Sequence, residues 1–252
     1  MGKIKILITV KTYPTPSGRH REIVCTAGVK EDGSWVRIYP IDYRCRDYSQ
    51  RYKKYQWIEV EVSKYNKDPR PESFKPVSDI KILGNPVGTK QNWAERGKYV
   101  LSKGVKTMCW LQKQSQKDIS LSVIKPLKIK DFYWERCSDK WSNKQIQALN
   151  QLGLFDKNRP KILEKIPYKF SYRFICEEPN CNGHAMMIED WEAMALYRNM
   201  RDKYGEQKGL IKVRKKFLNQ ICSPKRDTHF FVGTILQHGT WIIIGTFWPL
   251  KI

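Results

Sequence analysis

Tyr55-Gln-Trp-Ile-Glu-Val-Glu-Val-Ser-Lys64 alternates apolar and polar residues cleanly from Ile58 to Ser63. A period of two belongs to a strand with one face in a core and the other outside it. Upstream, Trp35-Val-Arg-Ile-Tyr39 has the same rhythm and is expected to stop at Pro40. It is preceded by Glu31-Asp-Gly-Ser34, whose Asp-Gly pair is the strongest short-range hairpin signal. Glu22-Ile-Val-Cys-Thr-Ala27 then reads as the hairpin's first arm. Lys3-Ile-Lys-Ile-Leu-Ile-Thr-Val-Lys11 is the opening strand, and Ile80-Lys-Ile-Leu83 completes the set. Short strands at close spacing with little helix between them predict a small barrel of the OB type, which needs about five strands.

The remaining chain mixes both periods. Residues 90–115 read as helix and irregular structure, with Trp93, Tyr99 and Trp110 as core contacts. The segment from Ser120 to Trp134 reads as strand, turn and strand. Asn143 is expected to cap a helix over Lys144–Leu152 that ends at Gly153. Tyr168-Lys-Phe-Ser-Tyr-Arg-Phe-Ile-Cys176 is a strand that delivers Cys176 at its end. Ala185–Arg198 and Gln207–Ile221 read as two helices broken at Gly205, the second with a Lys/Arg face. Thr228–Leu236 and Thr240–Phe247 form a terminal hairpin around His238-Gly239, its last strand buried on both faces.

Composition bounds the partners. The 252 residues carry 47 Lys and Arg against 25 Asp and Glu, a formal net charge of +22 spread along the chain. Solubility alone is usually met by a net charge of about 2–8 for a small domain. The excess therefore points to a polyanion, nucleic acid ahead of an anionic membrane surface. Hydrophobic residues are 40% of the chain, which argues for a buried core and against wholesale disorder. Met1-Gly-Lys-Ile-Lys runs straight into a strand, so no secretory leader is expected, and Trp241-Ile-Ile-Ile-Gly is far too short to span a bilayer. Seven irregularly spaced cysteines fit a reduced, cytoplasmic protein better than a disulfide framework.

Cys176-Glu-Glu-Pro-Asn-Cys181-Asn-Gly-His184 places two thiols and an imidazole on one Pro/Asn/Gly turn. That donor set suits zinc, and a structural site wants a fourth ligand. Cys222, after the second helix of a zinc-bearing helical insert over 176–222, is the expected one; Cys137, His229 and His238 are the other candidates. Ordinary part-buried thiols with His184 as a helix cap are the bland alternative. Glu189, Asp190 and Glu192 suggest a metal-dependent nuclease near His184, but an acidic first turn interacting with the helix dipole explains them more simply. No Walker loop, nucleophile elbow or dinucleotide glycine fingerprint is present.

Two surfaces are candidates for nucleic acid. On the strand Trp35–Tyr39, Val36 and Ile38 alternate with Arg37 and Tyr39, so Arg37 and Tyr39 are expected on the outer face as a base platform. Arg44, Arg46, Lys53 and Lys54 lie in the tyrosine-rich stretch that follows. Lys208, Lys212 and Lys215 share one helical face and could track phosphates. For both surfaces a solvated polar face is the competing reading.

Several segments together resemble the bacterial dual OB-containing domain family. They are Lys11-Thr-Tyr-Pro-Thr-Pro-Ser, Val24-Cys-Thr-Ala-Gly, Trp35-Val-Arg-Ile-Tyr-Pro-Ile, Lys53-Lys-Tyr-Gln-Trp-Ile and Asp68-Pro-Arg-Pro-Glu-Ser-Phe-Lys-Pro. Cys181-Asn-Gly-His, Asp190-Trp-Glu, Phe230-Phe-Val-Gly-Thr and Trp241-Ile-Ile-Ile-Gly extend the likeness over most of the chain. The resemblance implies a second OB fold and nucleic-acid binding in mobile-element or defence settings, with no catalytic set. The expectation is an α+β, β-rich chain with two OB-like small barrels, one over 1–115 and one over 116–252. It would bind DNA or RNA, not membrane, with structural zinc; a protein partner in a larger complex is a further expectation.

Overall fold

The computed structural model describes residues 2–150 and 161–252. The first seven strands are β1 (Gly2–Lys11), β2 (Thr15–Ser17), β3 (Arg21–Val29), β4 (Trp35–Ile41), β5 (Trp57–Lys64), β6 (Ser73–Pro76) and β7 (Lys81–Leu83). Five of them close a barrel in the order β1-β3-β4-β6-β5 and back to β1. Every pairing is antiparallel except β4 with β6. A closed five-stranded barrel is consistent with the OB-like expectation. Alternation decides its inside: Ile58, Val60 and Val62 of β5 join Ile6, Ile8, Val36 and Ile38 in one buried cluster. Glu59 and Glu61 point away. The Asp32-Gly33 turn joins β3 to β4 with Gly33 at φ 76°, and β4 runs through Pro40 to Ile41 rather than stopping before it.

Next come α1 (Lys90–Val100) and α2 (Met108–Gln112), then β8 (Leu121–Ile124), β9 (Lys128–Arg136), α3 (Asn143–Asn150), β10 (Tyr168–Ile175) and β11 (His184–Met187). The expected end of α3 at Gly153 lies outside the described residues. α4 (Trp191–Tyr204) and α5 (Glu206–Arg214) follow, α5 running on into a π-helical segment, Lys215–Gln220. The hairpin β12 (His229–Thr234) and β13 (Trp241–Phe247) ends the fold, as its sequence predicts. Residues 185–187 are strand, not the start of a helix: β11 pairs with β10, and α4 begins only after Asp190, whose side chain accepts from the Glu192 amide. An N-cap aspartate fixes a helix start more firmly than the spacing of Met187 and Trp191 does.

These later strands form two three-stranded antiparallel sheets, β11-β10-β9 and β13-β12-β8, bridged at Ile188–Ile243, rather than one closed ring of ladders. The sheets enclose one core. Phe132, Phe170, Tyr172 and Phe174 face Phe230, Val232 and Ile243; α4, α5 and the π-helical segment cover them with Tyr197, Leu210, Val213 and Phe217. The segment 176–222 is therefore part of this core and not a separate helical insert. Trp110, expected inside, is 39% exposed.

The two halves share a third cluster. Leu7, Val10, Ala27 and Val29 on the barrel's outside pack against Leu121, Val123, Phe231, Ile244 and Phe247. Between Ala27 and Val29, Gly28 faces the barrel interior, where a Cβ would stand 2.2 Å from the Leu7 carbonyl oxygen and 2.7 Å from Ile6. Arg70 pairs with Asp68 through two nitrogens and also donates to the Thr234 carbonyl.

Candidate metal centre and nucleic-acid interface

The strand β10 ends at Ile175 and the chain turns through Cys176–Gly183 back into β11. Gly183, at φ 93°, supplies the left-handed residue that this return requires. The turn brings the Cys176 and Cys181 thiols and the His184 imidazole together, as expected. The fourth donor is Cys109 of α2, and the four ligand atoms lie within 4.8 Å of one another. His184 Nε2 stands 3.3 Å from Cys109 Sγ and 3.4 Å from Cys181 Sγ. With metal–sulfur and metal–nitrogen bonds of about 2.3 and 2.0 Å, a tetrahedral zinc site has S···N edges of about 3.5 Å. The residues therefore fit a four-coordinate metal ion.

Two backbone amides aim at the sulfurs, while burial acts against the thiolate form. The Met108 amide donates to Cys176 Sγ at 3.1 Å and the Cys176 amide to Cys181 Sγ at 3.2 Å. Burial and the neighbouring thiols push Cys109 up to about 12. Burial also acts upward on Cys181, but amide donors and the adjacent thiols bring its net shift below the ordinary value. Burial lowers His184, which favours the neutral imidazole that a metal needs. Four protein donors are enough to fill a tetrahedral coordination sphere.

Cys222 is not one of the four. Its thiol donates to the Phe217 carbonyl at 3.1 Å, and burial pushes it up to about 12. Sequence distance hid Cys109: it stands alone, 67 positions before Cys176, with no second cysteine nearby to flag it.

Several basic residues singled out from the sequence are committed elsewhere. Arg37 does lie outside the barrel, as the alternation requires, but the second half covers it and leaves it 2% exposed. It donates to Ser73 Oγ, Ser120 Oγ and the Ser120 carbonyl. It is therefore not a base platform. Lys54 bridges Asp190 at 3.2 Å and Glu192 at 3.0 Å. Burial acts against its charge, but those two carboxylates outweigh it and hold the ammonium above its ordinary range. Arg44 pairs with Glu22, and Arg46 with Asp42 and Gln50. Lys53 is exposed; Tyr39 is half-buried in a small pocket with Arg19, His20 and Lys75. Lys11 is held under Tyr43, Tyr52 and Trp191, its ammonium 4.2 Å from the Tyr43 ring centre and donating to the Tyr43 hydroxyl. Burial and the nearby Lys54 lower it to about 8.

The second basic surface stays open. Lys208, Lys212 and Lys215 are exposed along α5 and the first turn of the π-helical segment. Lys212 and Lys203 both approach the Tyr204 ring at 5.2 Å. Farther along, Lys216 and Arg226 each stand 4.8 Å from the Trp248 ring centre. Lys212, Lys215, Lys216 and Trp248 line one cleft of about 540 Å³ between α4 and the π-helical segment. Cations thus flank the exposed Tyr204 ring and the half-buried Trp248 ring.

Trp248 has an unusual support. Gln91, Asn92 and Trp93 form a left-handed turn with φ of 47°, 53° and 64°. Such a conformation costs roughly 1–2 kcal/mol per residue for non-glycine side chains. It is clamped by Asn92, whose amide donates to the Leu250 carbonyl at 2.8 Å while its carbonyl accepts from the Leu250 amide at 2.6 Å. The turn sets Trp93 against Phe247 and, at 5.1 Å, against Trp248.

Residues 104–251 match the family described as "Domain of unknown function (DUF8757)". The chain belongs to that family. A second model, "Domain of unknown function (DUF8758)", matches residues 2–102 of this DUF8757 member. The boundary between the two matches falls after α1. Cys109 lies beyond it, and Lys106 bridges Ile124, so the segment carrying α2 is tied to the second half. No curated protein matches the chain. One similar solved structure, "Structure of murine DNA binding protein bound with ds DNA", is 9% identical, covers 100% of this chain and 97% of its own, and has a TM-score of 0.33.

Proposed function

We propose that this chain binds nucleic acid, DNA or RNA, through the edge formed by α5, the π-helical segment and Trp248. The observation that carries this reading is the open run of Lys208, Lys212 and Lys215 leading to Lys216 and Arg226 over one indole. A lysine row offers point charges for successive phosphates, and a ring among them offers a stacking surface. The net charge of +22 supplies the long-range attraction.

In the same reading, the two C-terminal sheets are an opened second OB-like barrel beside the closed first one. The resemblance to the dual OB-containing family supports that arrangement. Zinc is the metal best suited to three thiolates and one imidazole, and Cys109, Cys176, Cys181 and His184 would hold it. When bound, it supplies cross-linking and no reaction. It ties α2 to the β10–β11 turn.

The test is a panel of labelled DNA and RNA oligonucleotides titrated at two salt concentrations, with the products run on a gel after incubation with magnesium, manganese or zinc. Binding that weakens steeply with salt and leaves the nucleic acid intact is expected. Absence of binding at low salt would remove the proposal. Metal-dependent cleavage lost in His184→Ala would replace it with a nuclease.

A further inference from the structure

The cleft beside Trp248 has the composition of a nucleotide pocket and not of a phosphate track alone. Leu196, Met200, Phe217 and Trp248 give it apolar walls. Lys212, Lys215 and Lys216 lie on its basic side, and Glu192 and Gln220 add groups able to meet a base edge. Its volume of about 540 Å³ falls within the range of about 300–1,000 Å³ usual for sites that enclose a small ligand. A duplex presents neither a free base face nor a single nucleotide that could enter such a space. An unpaired nucleotide presents both.

Two departures from regular backbone converge on this cleft. The π-helical segment Lys215–Gln220 forms one wall and carries Lys215, Lys216, Phe217 and Gln220 into it. The left-handed turn at Gln91–Trp93 buttresses Trp248 from behind. Single-turn π-helices and strained non-glycine residues concentrate at ligand sites, where the surrounding structure holds them in place. Here each has an evident effect: one aims lysines into the cleft, and the other fixes the indole. A surface needed only to attract a polyanion would require neither.

We propose that this cleft takes one unstacked nucleotide of a single-stranded segment, its base against Trp248 and its phosphates on Lys212 and Lys215. Lys216, now over the indole, moves to the incoming phosphate and leaves the place it covered to the base, while Arg226 stays against the ring. The proposal rests on the nucleic-acid reading above and adds strand state and position to it.

The experiment compares a short deoxyadenosine oligomer with its duplex on complementary thymidine, using wild-type protein, Trp248→Leu and Trp248→Phe. The single strand is expected to bind more tightly than the duplex. Trp248→Leu should weaken single-strand binding by about five- to 150-fold, the range for loss of one stacked base, and leave duplex binding unchanged. Trp248→Phe should recover part of the loss. Equal or tighter duplex binding, or equal loss on both ligands, would overturn the proposal while leaving nucleic-acid binding intact. If neither ligand binds at low salt, the broader reading fails instead. As a check that does not depend on a variant folding, a photoreactive bromouridine oligomer is cross-linked to the wild-type chain. Labelled peptides should contain α4, the π-helical segment or Trp248, and labels confined to the first barrel would equally overturn the assignment.

Discussion

Arg37 belongs to the joint between the two halves. Its guanidinium reaches Ser73 on β6 and Ser120 just before β8, and the Ser120 hydroxyl and amide in turn donate to the Glu72 carboxylate. Alternation on β4 predicts that Arg37 points out of the barrel, and it does. No local pattern could reveal that a second sheet covers that face, because the covering residues are over eighty positions away. Arg37→Ala should therefore destabilise the fold by about 2–3 kcal/mol, since it leaves buried hydroxyl and carbonyl partners without a charged donor. Chemical denaturation of wild type and variant measures this. An unchanged midpoint would mean that the arginine is dispensable to the joint. Lys54 was misplaced for the same reason: Asp190, its partner at 3.2 Å, lies in the other half.

At the scale of elements, strands were the most legible and helix starts the least. β5, β10 and the β12–β13 hairpin declare themselves by alternation or by the turn between them. β11 does not, because four residues rich in methionine fit either period; its pairing with β10 decides the matter. The metal centre was three-quarters legible. Cys176, Cys181 and His184 share one turn, whereas Cys109 arrives on a five-residue helix that only tertiary structure brings near. This gives a direct contrast. Purified wild type and Cys222→Ser should retain one zinc per chain by elemental analysis, since a serine at 222 can still donate to the Phe217 carbonyl. Cys109→Ser should retain far less. Full zinc in Cys109→Ser, or its loss in Cys222→Ser, would contradict the assignment.

For the molecule as a whole, the segments that carry the family resemblance gather largely where the halves meet. Asp68, Arg70 and Glu72 of Asp68-Pro-Arg-Pro-Glu link to Thr234 and Ser120. Asp190 and Trp191 of Asp190-Trp-Glu meet Lys54, Tyr13 and Tyr43. That joint takes up Arg37, Lys54 and Arg70 of the first barrel, so those three add nothing to its open cationic surface. The edge along α5 toward Trp248 is open and joins its lysines to aromatic rings, and the proposed binding rests on it. The most direct test is the slope of log affinity against log salt for a nucleic-acid ligand, in wild type and in the combined Lys208→Gln, Lys212→Gln, Lys215→Gln variant. The variant's slope should be shallower by about 2–3, each of the three lost phosphate contacts being worth roughly 0.7–0.9. Parallel lines of equal slope would contradict it.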